Sequence, residues 1–436
     1  MGIYFGTDGL RGIYGEIISP EIAFKVGNSL GRLCQNHKQI VIGRDTRKSG
    51  SLLTLAFASG LMCQGVDVVD VGIVPTPVVA YLAKDGRFDF GVVISASHND
   101  ARHNGIKIFD EKGYKIGEQT ENLIERKMLY SYEVEHQNVG KYAYKPNLTS
   151  KYKNKILSFF GDFKGLKIVL DLANGASFKL AKELFSKLGA KVIPLHRYQN
   201  GLNINENCGA LYPHVICDAV KAYKADMGFA FDGDADRIIA CDERGTILDG
   251  DDILFLLAKI YRDEKYLVGT TMTNSGLERC LKKLGITLLR SDVGDKYVVE
   301  LMRAKNIKLG GEPSGHIINL DFSTTGDGVL TAITIASFVK TENKPLSKIC
   351  DLKHFPQVLI NVEVKDKLRT LNSNLLNNEI LNIQKEFSLS GRVLVRASGT
   401  ENKIRIMCEH KNINTAEKQA KQLEKLIKSI DNLSLT

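Results

Sequence analysis

The sequence predicts an α/β protein of four domains: three similar α/β domains with mixed, mainly parallel sheets, then a smaller C-terminal α+β domain. Three observations carry that expectation. The chain has 436 residues, too many for one hydrophobic core. A pattern of apolar strand, glycine-bearing loop, helix, glycine and apolar strand recurs three times, the mark of a βαβ crossover. Beyond residue 355 the pattern changes to alternating strands and a long amphipathic helix.

The first unit runs from the apolar stretch 39–43 through a helical pattern over 51–63 to Gly65 and the run 66–71. The second starts at 166–170, passes a loop over 171–175 and a helix over 178–188, and ends in Gly189 and the strand 191–195. The third opens at 266–271, with a helix up to residue 284, Gly285 and the strand 286–289. In the last part, 355–364, 392–395 and 404–409 read as strands, and 376–386 and 415–430 as helices. The expected domains are 1–148, 149–249, 250–355 and 356–436.

Composition narrows the function. The net charge of +9 fits nucleic acid or small anions. The lysines and arginines are spread out, densest in helical stretches such as 411–428 that read as solvated faces, and no nucleic-acid motif stands out. No nucleic-acid partner is expected. No apolar run is long enough to span a bilayer, so no membrane partner is expected either. Residues 1–12 hold Asp8 and Arg11 and lack an apolar signal core. Eight cysteines are scattered without a C-x-x-C pair, which argues against a zinc site or a disulfide framework and for a cytoplasmic protein.

Four motifs bear chemistry. Residues 95–99 (SASHN) follow the strand 90–94, where open α/β sheets place their ligands. On an extended chain His98 points away from Ser97 and makes no dyad with it. A serine without a base is a poor nucleophile, but its phosphate ester is a phosphoryl donor. Downstream, residues 104–107 add a turn and the cation Lys107. The alternative is a polar turn capped by Ser and Asn. Residues 232–237 (DGDADR) place three carboxylates at i, i+2 and i+4, hard oxygen ligands for magnesium or calcium. The alternative, an exposed acidic turn, leaves three like charges without a neutralising cation.

Residues 310–316 (GGEPSGH) alternate Glu312, Ser314 and His316, which share a face if extended and suit sugar hydroxyls. A glycine-rich hinge with a satisfied histidine is the other reading. Residues 396–402 (RASGTEN), with Arg405, combine backbone N–H groups, hydroxyls and two guanidinium groups into a phosphate site, or form a plain hairpin loop. The N-terminal GTDGLRG (6–12) lacks the spacing of a dinucleotide fingerprint and reads as a loop presenting Arg11 to an anion.

In this order, FGTDGLRG, SASHNDARHNGIK, DGDADR, GEPSGH and RASGTEN resemble the signatures of the α-D-phosphohexomutase family along the whole chain. DLANGA (171–176), GLNINENCGA (201–210), VGDKY (293–297) and TTGDG (324–328) look like its branch acting on glucosamine phosphates. The resemblance implies four domains around a central cleft and a phosphorylated Ser97. It implies one magnesium ion per chain, held by Asp232, Asp234, Asp236 and a phosphate oxygen on Ser97. Arg11, Lys107 and Arg237 would flank the transferred group, with His98 beside it. Glu312, Ser314 and His316 would meet the sugar. Arg396, Ser398, Gly399, Thr400 and Arg405 would hold the substrate phosphate.

The implied reaction interconverts glucosamine 6-phosphate and glucosamine 1-phosphate through a hexose 1,6-bisphosphate, which also serves as activator. A phosphoglucomutase/phosphomannomutase and a non-catalytic phosphosugar-binding regulator are the alternatives. The hexosamine phosphate is the expected partner, and the chain is expected as a monomer or homodimer. Lys107, its pKa lowered by nearby arginines, is expected as general acid or base. Four positions depart from the family pattern: Asp100 and Asn402 replace prolines, Pro313 a glutamine, and Lys296 an arginine. Pro313 bears on sugar choice, because it removes an amide and a backbone donor between Glu312 and Ser314.

Overall fold

The computed structural model describes residues 4–6, 8–130, 138–398 and 402–432. They fall into two compact units, Met1–Thr273 with Leu284–Asp351, and Asn274–Lys283 with Leu352–Thr436.

The first unit holds three sheets. One runs Phe5–Gly6, Gly9–Ile13, His103–Asp110, Phe90–Ile94, Gln39–Arg44, Asp67–Ile73 and Tyr142–Tyr144 in spatial order. Its middle strands are parallel, and His103–Asp110 and Gly9–Ile13 add antiparallel partners. The second runs Ile247–Leu248, Ile238–Asp242, Met227–Phe231, Lys167–Asp171 and Lys191–Leu195. The third runs Thr287–Ser291, Tyr266–Thr270, Leu309–Gly311 and Ile317–Asn319. Parallel pairs fill one side of each sheet and antiparallel pairs the other: three of each in the first, two of each in the second, and two parallel to one antiparallel in the third. The central strands read as unbroken apolar runs such as GVVI and MGFAF, because both faces are covered and every one of those residues is buried.

The crossovers are the helices the glycine-punctuated pattern called for, Gly50–Met62, Leu180–Lys187 and Ser275–Lys283. The third clusters with the second unit. That unit has a fully antiparallel sheet, Gln357–Glu363, Lys403–His410 and Gly391–Ala397, with Asn374–Phe387 and Ile413–Asn432 packed on it. Among the described residues no helix is long and apolar enough to cross a membrane.

Three parallel strands end just before a motif: Phe90–Ile94 before Ser97, Met227–Phe231 before Asp232, and Leu309–Gly311 before Glu312. One expectation is corrected. Residues 104–107 form no turn but lie in the strand His103–Asp110, paired with Phe90–Ile94 so that Lys107 stands opposite Val93. Lys107 is thus fixed on a sheet and buried.

Candidate active site

The serine and acidic loops interlock. Ser97 is buried and left-handed, with φ 51°, so the expectation of an extended chain at Ser97–His98 is corrected. Its hydroxyl donates to Asp232 Oδ2 at 2.5 Å and lies 3.3 Å from Asp236 Oδ1. Gly233 permits this approach, since a Cβ there would stand 2.6 Å from the Ser97 carbonyl oxygen.

Asp232, Asp234 and Asp236 are all buried, with ligand atoms within 4.8 Å of one another. Thr76 Oγ1 and Lys107 Nζ donate to Asp234 Oδ2 at 2.5 and 2.8 Å, while Asp234 Oδ1 is buried without a hydrogen-bond partner. Burial, with the charges of Asp236 and Asp234, pushes the Asp232 carboxyl well above the ordinary carboxylate range. Burial also opposes the charge of Asp236, yet Lys107, His316 and Arg237 hold its pKa well below that range. Three converging oxygens, one of them orphaned, fit a hard cation. An EF-hand is a different object, since here the loop joins two antiparallel strands.

Lys107 Nζ also reaches Asp236 at 2.8 Å and Asp8 at 3.5 Å. Burial disfavours its charge, but Asp234, Asp236 and Asp8 outweigh that and hold its pKa well above the usual value. The expectation of a lowered Lys107 pKa is corrected: Arg11 acts in that direction and three carboxylates override it.

A cavity of about 400 Å³ opens beside this cluster. Arg11, His98, Asp236 and Arg237 line it together with Glu312, Pro313, Ser314 and His316. The Nε atoms of Arg11 and Arg237 are buried without hydrogen-bond partners, donors suited to an anion, and the Nδ1 of His98 is likewise buried and unpartnered. Burial, then Arg237 and Arg11, lower the His98 pKa to about 4.

The 312–316 segment forms a turn, not the extended stretch expected. The Gly315 amide donates to the Glu312 carbonyl at 3.0 Å, and the Glu312 amide to the His316 carbonyl at 3.1 Å. Glu312 is buried and accepts from the Gly294 amide at 3.0 Å, and Ser314 is exposed. The buried His316 ring stands 3.8 Å from Asp236 and 3.3 Å from Asp295. Burial disfavours its charge, but Asp295 and Asp236 raise its pKa.

In the second unit, Arg396 and Arg405 face each other across antiparallel strands. Like charges in register repel, so the pair favours a bound anion. Arg405 Nη2 lies 3.4 Å from Ser398 Oγ, and Lys367 Nζ donates to the Ser398 carbonyl at 2.9 Å. Burial, then Arg405, lower the Arg396 pKa. Gly399 and Thr400 lie outside the described residues.

Sequence reasoning passed over several participants. Lys115 is half-buried and bridges Asp8 and Asp295. Arg47 and Asn205 hold the Ser97 carbonyl, and Lys367 supports the arginine hairpin. Only Asn205 lay inside a recognised stretch, GLNINENCGA, and only the fold aims it at Ser97.

Known proteins resemble this chain along nearly its whole length. Family models for phosphoglucomutase/phosphomannomutase match domain I at residues 2–134, domain II at 150–245, domain III at 249–355 and the C-terminal domain at 359–426. A protein named phosphoglucosamine mutase from Alkaliphilus oremlandii is 42% identical over 98% of this chain and 99% of its own. One of the same name from Alkaliphilus metalliredigens is 43% identical, with the same coverage. A crystal structure of a phosphoglucomutase/phosphomannomutase family protein from Burkholderia thailandensis superposes with TM-score 0.83 and 25% identity over 97% of each chain. The chain belongs to the phosphoglucomutase/phosphomannomutase family, the α-D-phosphohexomutases.

Proposed function

We propose that this phosphohexomutase interconverts glucosamine 6-phosphate and glucosamine 1-phosphate, with Ser97 as the phosphoryl carrier. One observation carries the chemistry: a left-handed, buried serine whose hydroxyl points into three buried aspartates, beside a cavity with unpartnered guanidinium N–H groups. The names of the relatives at 42 and 43% identity support the amino sugar.

In the forward step the Oγ–phosphorus bond of phosphorylated Ser97 breaks as the free hydroxyl oxygen of the hexosamine monophosphate bonds to phosphorus. The proton of that hydroxyl ends on the serine oxygen. The bisphosphate turns over, its other phosphoryl group returns to Ser97, and the isomeric monophosphate leaves. A hexose 1,6-bisphosphate phosphorylates resting enzyme by the same exchange. Asp232, Asp234, Asp236 and a Ser97 phosphate oxygen would hold a magnesium ion, which would supply charge neutralisation at the transferred group. Arg11 and Arg237 donate to that group. Lys107 acts as a fixed cation, and His98 closes the cavity beside it. Glu312 and Ser314 bind sugar hydroxyls, and the buried His316 supports them. Arg396, Ser398, Gly399, Thr400 and Arg405 take the non-transferring phosphate. We place the domains at 1–148, 149–249, 250–355 and 356–436, and the protein in the cytoplasm as a monomer or homodimer.

The test is kcat/KM for the glucosamine, glucose and mannose phosphates with magnesium and bisphosphate present. The glucosamine pair should be highest. A higher value for glucose or mannose phosphate transfers the chain to the phosphoglucomutase/phosphomannomutase reading.

A further inference from the structure

We propose that Asn205 is a positioning residue for the phosphoryl-carrying serine: its side-chain amide, delivered from the second domain, clamps the backbone carbonyl of Ser97. The inference rests on the phosphoserine reading and gives a task to GLNINENCGA, a stretch the proposed reaction leaves idle.

Both ends of the Ser97 residue are held. Its amide donates to Ser95 Oγ at 2.9 Å, and that hydroxyl donates to the buried Asp45 at 2.6 Å. Its carbonyl accepts from Arg47 Nη2 and from Asn205 Nδ2, each at 2.9 Å. The same two donors reach the Asn99 carbonyl, again at 2.9 Å each. Arg47 comes from the serine's own domain, whereas Asn205 comes from the domain that carries the aspartates. Asn205 therefore ties the serine loop to the second domain, which also carries the acidic loop. The left-handed backbone of Ser97 is unfavourable for a residue with a Cβ and needs such outside support.

The Asn205 loop is built to hold that side chain still. Asn205 is buried, and its own amide donates to the Ala173 carbonyl at 3.0 Å. Asp171 anchors the surroundings, accepting from the Ala173 amide at 3.0 Å, the Gly209 amide at 2.9 Å and His196 Nδ1 at 2.9 Å. Ala173, Asn174, His196, Asn205 and Asn207 all have positive φ. So many strained residues in one knot mark a functional arrangement. Asp171, His196 and Cys208 approach within 4.8 Å and resemble a metal triad, but the carboxylate oxygens are already engaged by those bonds, so the cluster reads as the anchor. Asn205 does not line the cavity, which leaves it no direct contact with substrate there.

Asn205→Asp keeps the shape and removes the donors; Asn205→Ala removes the group; Asn205→Gln keeps a donor on a longer arm. Full-length variants are loaded with a hexose bisphosphate, phosphate on Ser97 is counted by intact mass, and its transfer to glucosamine 1-phosphate is followed in a single turnover. The Asp and Ala variants should lose roughly 10–100-fold in kcat and in the single-turnover rate, as expected for a misplaced reacting atom. KM should stay within about threefold, and Gln should recover part of the rate. The control is Asn203→Ala, which loosens the same loop through the Tyr198 carbonyl without touching Ser97; it should keep the wild-type rate. A wild-type rate in the Asp and Ala variants, or an equal loss in Asn203→Ala, overturns the proposal. Wild-type protein that never carries phosphate on Ser97 overturns the phosphoserine reading and this one with it.

Discussion

The Ser97 loop and the 312–316 turn border one cavity but are held in opposite ways. Side chains hold the first: Arg47, Asn205 and Ser95 bind the backbone around Ser97. Backbone holds the second. The Gly250 amide donates to the Pro313 carbonyl at 3.1 Å, and the Ile238 amide to the Gly315 carbonyl at 3.0 Å. A side-chain clamp makes geometry depend on particular residues, and one substitution can undo it. A backbone clamp leaves the side chains free to change while the shape stays. On the proposed reading, chemistry that must not drift sits on the first kind of loop, and recognition that must be adjustable sits on the second. Pro313 fits this division, because the bonds of its turn use its carbonyl and the amides of Glu312 and Gly315. The N–H that proline lacks is not among them.

The largest effects should fall on the side-chain-held loop and its aspartates. Ser97→Ala should lose nearly all mutase activity while its melting temperature stays near wild type, and peptide mapping should find the lost phosphate at that position. Full activity would end the division at its root. Asp234→Asn should weaken magnesium binding, measured by calorimetry, and cut kcat by orders of magnitude, since charge stabilisation dominates phosphoryl transfer. EDTA should abolish turnover and magnesium restore it. An enzyme indifferent to EDTA would remove the metal.

Smaller effects should come from the backbone-held turn. Pro313→Gln should shift the glucosamine-to-glucose preference by up to about tenfold, the scale of a pocket that merely tolerates a substituent. Its melting temperature should hardly move. A large loss of stability would show that the turn depends on its side chain after all.

A pH-dependent effect on stability, rather than on activity, lies beneath that turn, at Asp327. Its amide donates to the Ile317 carbonyl at 3.1 Å, and its carboxylate accepts from the Leu330 amide and the Tyr152 hydroxyl. Burial raises its pKa from 3.8 to about 6, against the lowering by those two donors. Protonation therefore favours the folded state. The contribution is complete below pH 3.8 and is lost as pH rises through about 6; its ceiling is roughly 3 kcal/mol, from about 1.4 kcal/mol per pKa unit. Asp327→Asn should match wild type in melting temperature near pH 4 and gain on it toward pH 7. A constant difference across that range would remove Asp327 as the titrating group.

Much of the site was legible because its chemistry is local. DGDADR carries three metal-type ligands in five residues, and SASHN and DGDADR each follow an apolar run that reads as a strand. Strand 191–195 and the runs 90–94 and 227–231 coincide with the observed Lys191–Leu195, Phe90–Ile94 and Met227–Phe231. What escaped is non-local or mixed in pattern. His103–Asp110 opens with polar residues and a glycine, so its first half looked like a turn, although the sheet buries it between two partners. Asn205 lies 108 residues from the carbonyl it holds, and no window on the sequence joins them. The Lys107 pKa went wrong for the same reason. Its arginine neighbour was visible in the motifs, and the convergence of Asp8, Asp234 and Asp236 on it was not.

Asp8, Lys107, Asp236, His316, Asp295 and Lys115 form a closed ring of alternating acidic and basic side chains, each touching the next. Its members come from the first three matched domains. A ribosome delivers them in a fixed order, and the ring stays open until residue 316 has left the exit tunnel. Until residue 234 is made, Lys107 and Lys115 have one of their four carboxylates, Asp8. The first domain on its own therefore leaves these two lysines short of carboxylates, which the second and third domains supply as Asp234, Asp236 and Asp295.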